Sequence, residues 1–215
     1  MSRTNRCALW LLPAVFGLVF LLAPRASVAG PGYVNFLFGQ KAFDSDWDPI
    51  DQQSTFGAEG VFGPAKWPVS LDAYVMHAKG SKDADISGTP YNFDATTYEY
   101  GLGLNKTFGK EKFHPYVNAG AVLAKVSASI TQSGTTGTTD ANGFGFWGGG
   151  GAFFRVGTTF NIGGAVRYST ADVDFKAYTT TIGNIAFNGA TVDAGGLTFG
   201  VLVGWGWPKY QEASH

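Results

Sequence analysis

After residue 30, apolar and polar side chains alternate along most of the chain. In 33–41, "YVNFLFGQK", Val34, Phe36 and Phe38 share one face, with Asn35 and Gly39 on the other. In 55–62, "TFGAEGVF", Phe56, Ala58, Gly60 and Phe62 oppose Gly57 and Glu59. In 69–76, Val69, Leu71, Ala73 and Val75 oppose Ser70, Asp72 and Tyr74. In 96–105, Tyr98, Tyr100, Leu102 and Leu104 oppose Glu99, Gly101, Gly103 and Asn105. In 115–125, Val117, Ala119, Ala121 and Leu123 oppose Asn118 and Gly120. In 143–154, "GFGFWGGGGAFF", Phe144, Phe146, Ala152 and Phe154 oppose Gly145, Trp147, Gly149, Gly151 and Phe153. The same holds over 159–169, with Phe160, Ile162, Val166 and Tyr168 against Asn161, Gly163, Ala165 and Arg167. It holds again over 195–207, with Leu197, Phe199, Val201, Val203, Trp205 and Trp207 against Gly196, Thr198, Gly200, Gly204 and Gly206. A period of two predicts eight strands, and no stretch keeps a helical period.

The connections alternate in length. Long ones are expected near 42–54, 79–93, 127–142 and 172–190, and short ones near 63–68, 106–114 and 155–158. An even strand count with long loops at one end and tight turns at the other is the pattern of a transmembrane, eight-stranded, antiparallel up-and-down β-barrel, an all-β fold. A soluble ligand-binding barrel would put its apolar face inside. Here the polar face carries isolated mid-strand charges amid glycines, namely Glu59, Asp72, Glu99 and Arg167. That suits a polar interior better than a solvated surface. The apolar face carries Tyr98, Tyr168, Trp205 and Trp207 near strand ends, where a membrane barrel has its aromatic girdles.

The N-terminus agrees with export. Arg3 and Arg6 precede an apolar run from Ala8 to Ala23, and Ser27 and Ala29 supply the small residues of a cleavage site. The run is short of the ~20 residues a helical span needs, so 1–29 is read as a cleaved secretory signal peptide. Residues 30–207 are the barrel, and 208–215, "PKYQEASH", a short periplasmic tail. The only cysteine, Cys7, leaves with the signal, so the barrel has no disulfide and no thiolate site. Loss of Arg3, Arg6 and Arg25 leaves an acidic chain, which excludes a nucleic-acid partner that would require a basic surface. Charged residues are 14% of the whole and aromatics 15%, against the ~25% charged of ordinary soluble chains.

The chain resembles the small eight-stranded outer-membrane barrels of the OmpA/OmpX type over nearly all of 30–207. The stretches that carry the resemblance are 115–124 "PYVNAGAVLA", 149–168 "GGGAFFRVGTTFNIGGAVRY" and the final "GVLVGWGW". The last is similar to the terminal-strand signal read by the barrel-insertion machinery, which the resemblance implies as a partner. It also implies the cell outer membrane as the location, with outer-membrane lipid and lipopolysaccharide as surroundings. The tail is too short for a peptidoglycan-binding domain.

Four features suggest chemistry. If Glu59, Asp72, Glu99 and Arg167 share the lumen, Arg167 should pair with one or two carboxylates, because an unpaired buried charge is costly. The cluster is either a static plug or a gate, and the narrow interior of eight strands favours the plug. Residues 143–148 match G-x-G-x-x-G, but no helix would follow through Gly149, Gly150 and Gly151, so a phosphate loop is not expected. Loop one carries Asp44, Asp46, Asp48 and Asp51, the first three in the D-x-D-x-D spacing of a calcium loop. However, Pro49 and Thr55 replace the required glycine and glutamate. Two readings of these acids stay open, divalent cations shared with lipopolysaccharide alongside Asp83, Asp85, Asp172 and Asp174, or plain solvated loop acids, and the second is the commoner for loop carboxylates. His77 with Ser81 and Asp83 is the one local set for acyl chemistry, and its spacing forms no motif. His114 falls near a turn and His215 in the tail.

The function expected from sequence is therefore a structural or surface-interaction role through four extracellular loops. A small porin with a charged lumen is the alternative, and a lipid A-modifying enzyme a third. No catalysis, cofactor or bound metal is expected, and the surface ligand is not named by the sequence.

Overall fold

Alternation on this scale demands that every strand find two neighbours, and the computed structural model shows the wall it builds. Residues 32–43, 50, 52–64, 67–86, 88–109, 112–175, 178–179, 186–187 and 190–207 are described. The expected leader and tail, Asp44, Asp46, Asp48, Pro49 and Asp51 lie outside them.

The strands are β1 (Gly32–Ala42), β2 (Gln52–Phe62), β3 (Ser70–Ile86), β4 (Thr89–Thr107), β5 (Phe113–Gln132), β6 (Thr135–Val156) and β7 (Phe160–Phe175). Three short ones follow: β8 (Tyr178–Thr179), β9 (Ala186–Phe187) and β10 (Ala190–Asp193). β11 (Gly196–Trp207) is last. β1 to β7 pair antiparallel in sequence order, and β11 closes the ring between β7 and β1. The fold is thus a closed, eight-stranded antiparallel barrel of β1–β7 and β11. Closure leaves no bare sheet edge in the membrane-height wall, the condition for a strand to cross lipid.

The ladder is staggered. Paired residues run from Tyr33 through Val61, Asp72, Gly103, Gly120, Trp147 and Ser169 to Gly196. Gly196 meets β1 just past Ala42, not at Tyr33. One circuit therefore climbs about ten residues, the shear that tilts the strands of a narrow barrel.

The apolar face is outside. Phe36, Phe38, Phe56, Leu102, Phe146 and Val201 are each 38–66% exposed, while Asn35, Lys41, Asp72, Glu99 and Asn161 are 0–2% exposed inside. A soluble domain does not expose a continuous apolar belt of that size. Lipid is the solvent in which this inversion is stable.

Two expected long loops are strands instead. Residues 79–86 continue β3 and 89–93 continue β4, while 127–132 and 135–142 continue β5 and β6. The long connection expected near 127–142 is a two-residue turn at 133–134. Ser133 and Gly134 have φ of 46° and 82°, the left-handed pair that suits the twist of a hairpin. Threonine-rich sequence with polar residues on both faces reads as loop, but above the lipid neither face needs to be apolar. The outer parts of β3, β4, β5 and β6 remain paired with one another there, forming a four-stranded sheet that rises from one side of the rim. The β7–β11 connection is also partly strand, with β10 paired to Asp172–Phe175.

Candidate functional site: the filled lumen and the rim

Inward-pointing residues stack in three tiers, each drawn from several strands by the stagger. The middle tier centres on Arg167 of β7. Its guanidinium donates to Glu59 Oε2 of β2 across the lumen. It also lies 3.8 Å from the Tyr74 ring centre and 4.7 Å from that of Trp147. Tyr74 and Trp147 meet edge to face at 5.0 Å, and Trp147 Nε1 donates to the Ala121 carbonyl at 3.0 Å. Arg167 is thus held by a carboxylate and two π faces, all favourable to a desolvated guanidinium. The Tyr74 ring lies against the Cα of Gly101, where a Cβ would collide with it.

The upper tier centres on Glu99. It accepts from Lys41 Nζ, from Ser169 Oγ at 3.1 Å and, through its other oxygen, from Tyr74 Oη at 3.1 Å. Lys41 Nζ also donates to the Ala194 carbonyl at 2.7 Å and sits 4.5 Å from the Phe43 ring. Tyr74 therefore links the two ion pairs. Above them Ile50 and Ala194 are buried, with Phe43, Phe93, Phe175 and Val192 packed alongside.

In the lower tier Asp72 Oδ2 accepts from Asn118 Nδ2 at 2.9 Å and Asn105 Nδ2 at 3.3 Å. Asn161 bridges Asn35 and Arg155. An aromatic floor of Tyr33, Tyr116, Phe153 and His114 closes this end, with Tyr33 and Phe153 at 5.0 Å and His114 stacked on Phe153 at 5.1 Å. A cavity of about 10 Å³ remains beside Glu59, Tyr116, Asn118 and Arg167, room for about one water.

All four charges expected in the lumen are inside and buried, but they divide. Arg167 takes Glu59, Asp72 rests on asparagines, and Glu99 takes Lys41. Sequence reasoning missed Lys41, although it shares the parity of Asn35 and Gly39. It also missed Tyr74 as the link. Because Glu99 keeps two hydroxyl donors without Lys41, Lys41→Met should cost about 2–3 kcal/mol, read from the urea unfolding midpoint in lipid vesicles.

The expected girdle residues all face outward. Tyr98 and Tyr168 are 42% and 54% exposed toward the hairpin end, and Trp205 and Trp207 52% and 38% toward the short-turn end. Trp205 meets Phe36 and Phe160 edge to face.

The set suggested for acyl chemistry does not assemble. His77 lies on the outer wall between Phe56 at 5.0 Å and Tyr98 at 4.7 Å. Ser81 and Asp83 instead receive bonds from Asn92 Nδ2. Asp174 accepts from Thr191, and Asp85 and Asp172 are exposed. Among the described residues no three acids or histidines are placed to hold a metal. The G-x-G-x-x-G stretch lies inside β6, with strand on both sides.

No family model matches the chain, and no curated protein matches it in sequence. Solved structures do match in shape. One is Ail, the attachment invasion locus protein of Yersinia pestis, in complex with the heparin analogue sucrose octasulfate. It has 10% identity and a TM-score of 0.50 over 83% of this chain and 99% of Ail. Neisserial surface protein A is 19% identical, with a TM-score of 0.45 over 81% of this chain and 97% of its own. The N-terminal β-barrel domain of Pseudomonas aeruginosa OprF is 15% identical, with a TM-score of 0.45 over 83% and 99%. The fold is that of the small eight-stranded outer-membrane barrels.

Proposed function

We propose that the chain is an integral outer-membrane protein. Its closed barrel anchors it, and the raised sheet of β3–β6 serves as a recognition surface outside the cell. The observation that carries this reading is the inversion of the wall, with an apolar belt outside and a polar, filled interior. A barrel packed in three tiers, with aromatics beneath and apolar residues above, supports an anchor over a conduit. An ion entering it would have to break one of two buried ion pairs without replacement, which is costly. The bundled His77, Phe56 and Tyr98 rings face lipid, which gives no support to catalysis.

Two measurements test the reading. Unheated protein in detergent should migrate as a compact species on gels and shift only on boiling; extraction as a soluble periplasmic protein would sink the proposal. Planar bilayers containing it should show no reproducible single-channel steps. Steps that change when Arg167 is substituted would establish the channel instead. The sulfated ligand of Ail is not carried over. Above its foot, the outer face of the raised sheet presents Asp83, Asp85, Asp94 and Asp140, which would repel an extended polyanion.

A further inference from the structure

The foot of the raised sheet carries a feature that anchoring does not require. Lys79 of β3 and Lys125 of β5 are exposed on the outer wall. In register, Lys79 lies beside Thr96 and Lys125 beside Tyr98, so the two flank β4 diagonally with those side chains between them. The ladder climbs in passing from β3 to β5, and stepping back from Ser127 to Lys125 restores the height. The two lysines therefore stand at one level along the rim. Among the described residues neither makes an ion pair. Asp94 and Asp140 stand higher on the same face. Directly below lies the ring cluster of Phe56, His77 and Tyr98, with centroids 5.0 and 4.7 Å apart, and Leu123 is 55% exposed beside it. Elsewhere around the rim the described outward residues are neutral or acidic: Gln40, Gln52, Ser54, Asn142, Thr170 and Asp172.

We infer that Lys79 and Lys125 form a binding site for the phosphorylated headgroup of an outer-leaflet glycolipid, with Tyr98 between them and the acyl chains on the aromatic and Leu123 wall below. The chemistry is complementary at both ends. Two unpaired cations at the polar boundary attract phosphate, and the apolar surface beneath accepts hydrocarbon. Among the described residues the outward cations of this rim are confined to one sector, whereas general snorkelling would scatter lysines around the rim. The inference rests on the membrane reading above.

The test is native mass spectrometry of the full barrel in detergent micelles titrated with lipid A bearing both phosphates. The parent protein should retain this lipid in preference to dephosphorylated lipid A. Lys79→Ser or Lys125→Ser should each weaken retention about fivefold, and both together about thirtyfold. The double arginine variant should restore it. Lys106→Ser, at the opposite rim, should leave it unchanged. Equal retention by the double serine variant, equal binding of dephosphorylated lipid, or displacement by inorganic phosphate would overturn the inference. Gel mobility separates the two failures. If the heat shift persists while lipid selectivity does not, only the site falls; if the heat shift is also lost, so does the membrane reading.

Discussion

Arg167→Met should lower the unfolding free energy of the barrel by about 3–5 kcal/mol. The arginine is 8% exposed and its partner Glu59 6%. Removing the cation leaves a carboxylate in the lumen with its ion-pair partner gone, and burying an unpaired charge is far more costly than making the pair is favourable. Tyr74 and Trp147 also lose the guanidinium between them. The companion variant Glu59→Leu, made in the Arg167→Met background, should recover most of the loss, since an apolar pair of similar volume often replaces a buried ion pair at little cost. Urea titration in vesicles, followed by tryptophan fluorescence and gel mobility, gives the full double-mutant cycle. A single variant within about 1 kcal/mol of the parent would mean that the pair is solvated and the lumen wet, which would revive the channel.

Strand number, strand order and the choice of outward face were legible because each is a local property of a two-residue period. Every barrel strand has one apolar face turned outward and one inward face on which polar and small residues mix with buried aromatic and aliphatic ones, and a slip of one residue would exchange the two. The height of the hairpins was not legible in the same way. Above the lipid, β3–β6 lose the strict alternation that announces a strand, and composition rich in Thr, Ser and Gly then resembles loop. One signal survives in the sequence. Ser-Gly pairs stand at 87–88 and 133–134, and such dipeptides mark tight turns. Gly88 has φ of 80° and Gly134 of 82°, as those turns require.

The lumen was legible as a list and not as a set of pairs. Parity alone places Glu59, Asp72, Glu99 and Arg167 inside. Which acid meets Arg167 depends on the shear, a property of the closed ring that no single strand encodes. The stagger sets Lys41 of β1 level with Glu99 of β4, so the acid that seemed available to Arg167 is already taken. Asp72 is stabilised by amides from β4 and β5, an arrangement that again needs three strands in register.

The sharpest test of inward against outward comes from two adjacent glycines. Gly149→Leu should prevent most of the chain from folding, a cost above about 3 kcal/mol, while Gly148→Leu should fold like the parent. A Cβ on Gly149 would stand 2.6 Å from the Val166 carbonyl oxygen, 3.1 Å from Arg167 Cα and 3.2 Å from Asn118 Oδ1. These are backbone atoms and a side chain already bonded to Asp72, so none can yield cheaply, and the rest of the leucine would enter the space of Arg167. A Cβ on Gly148 meets nothing closer than the Asn118 carbonyl oxygen at 3.8 Å, and its leucine would extend into lipid between Ala119 and Tyr168, its neighbours in register. Both variants make the same change in strand propensity and differ only in face. The fraction of heat-shifted protein after refolding into vesicles reads the contrast directly. Equal folding of the two would contradict the facing of β6. Failure of Gly149→Leu alone would show that, within the run "GFGFWGGGGAFF", Gly149 supplies clearance for the β7 backbone and for Asn118 inside the lumen.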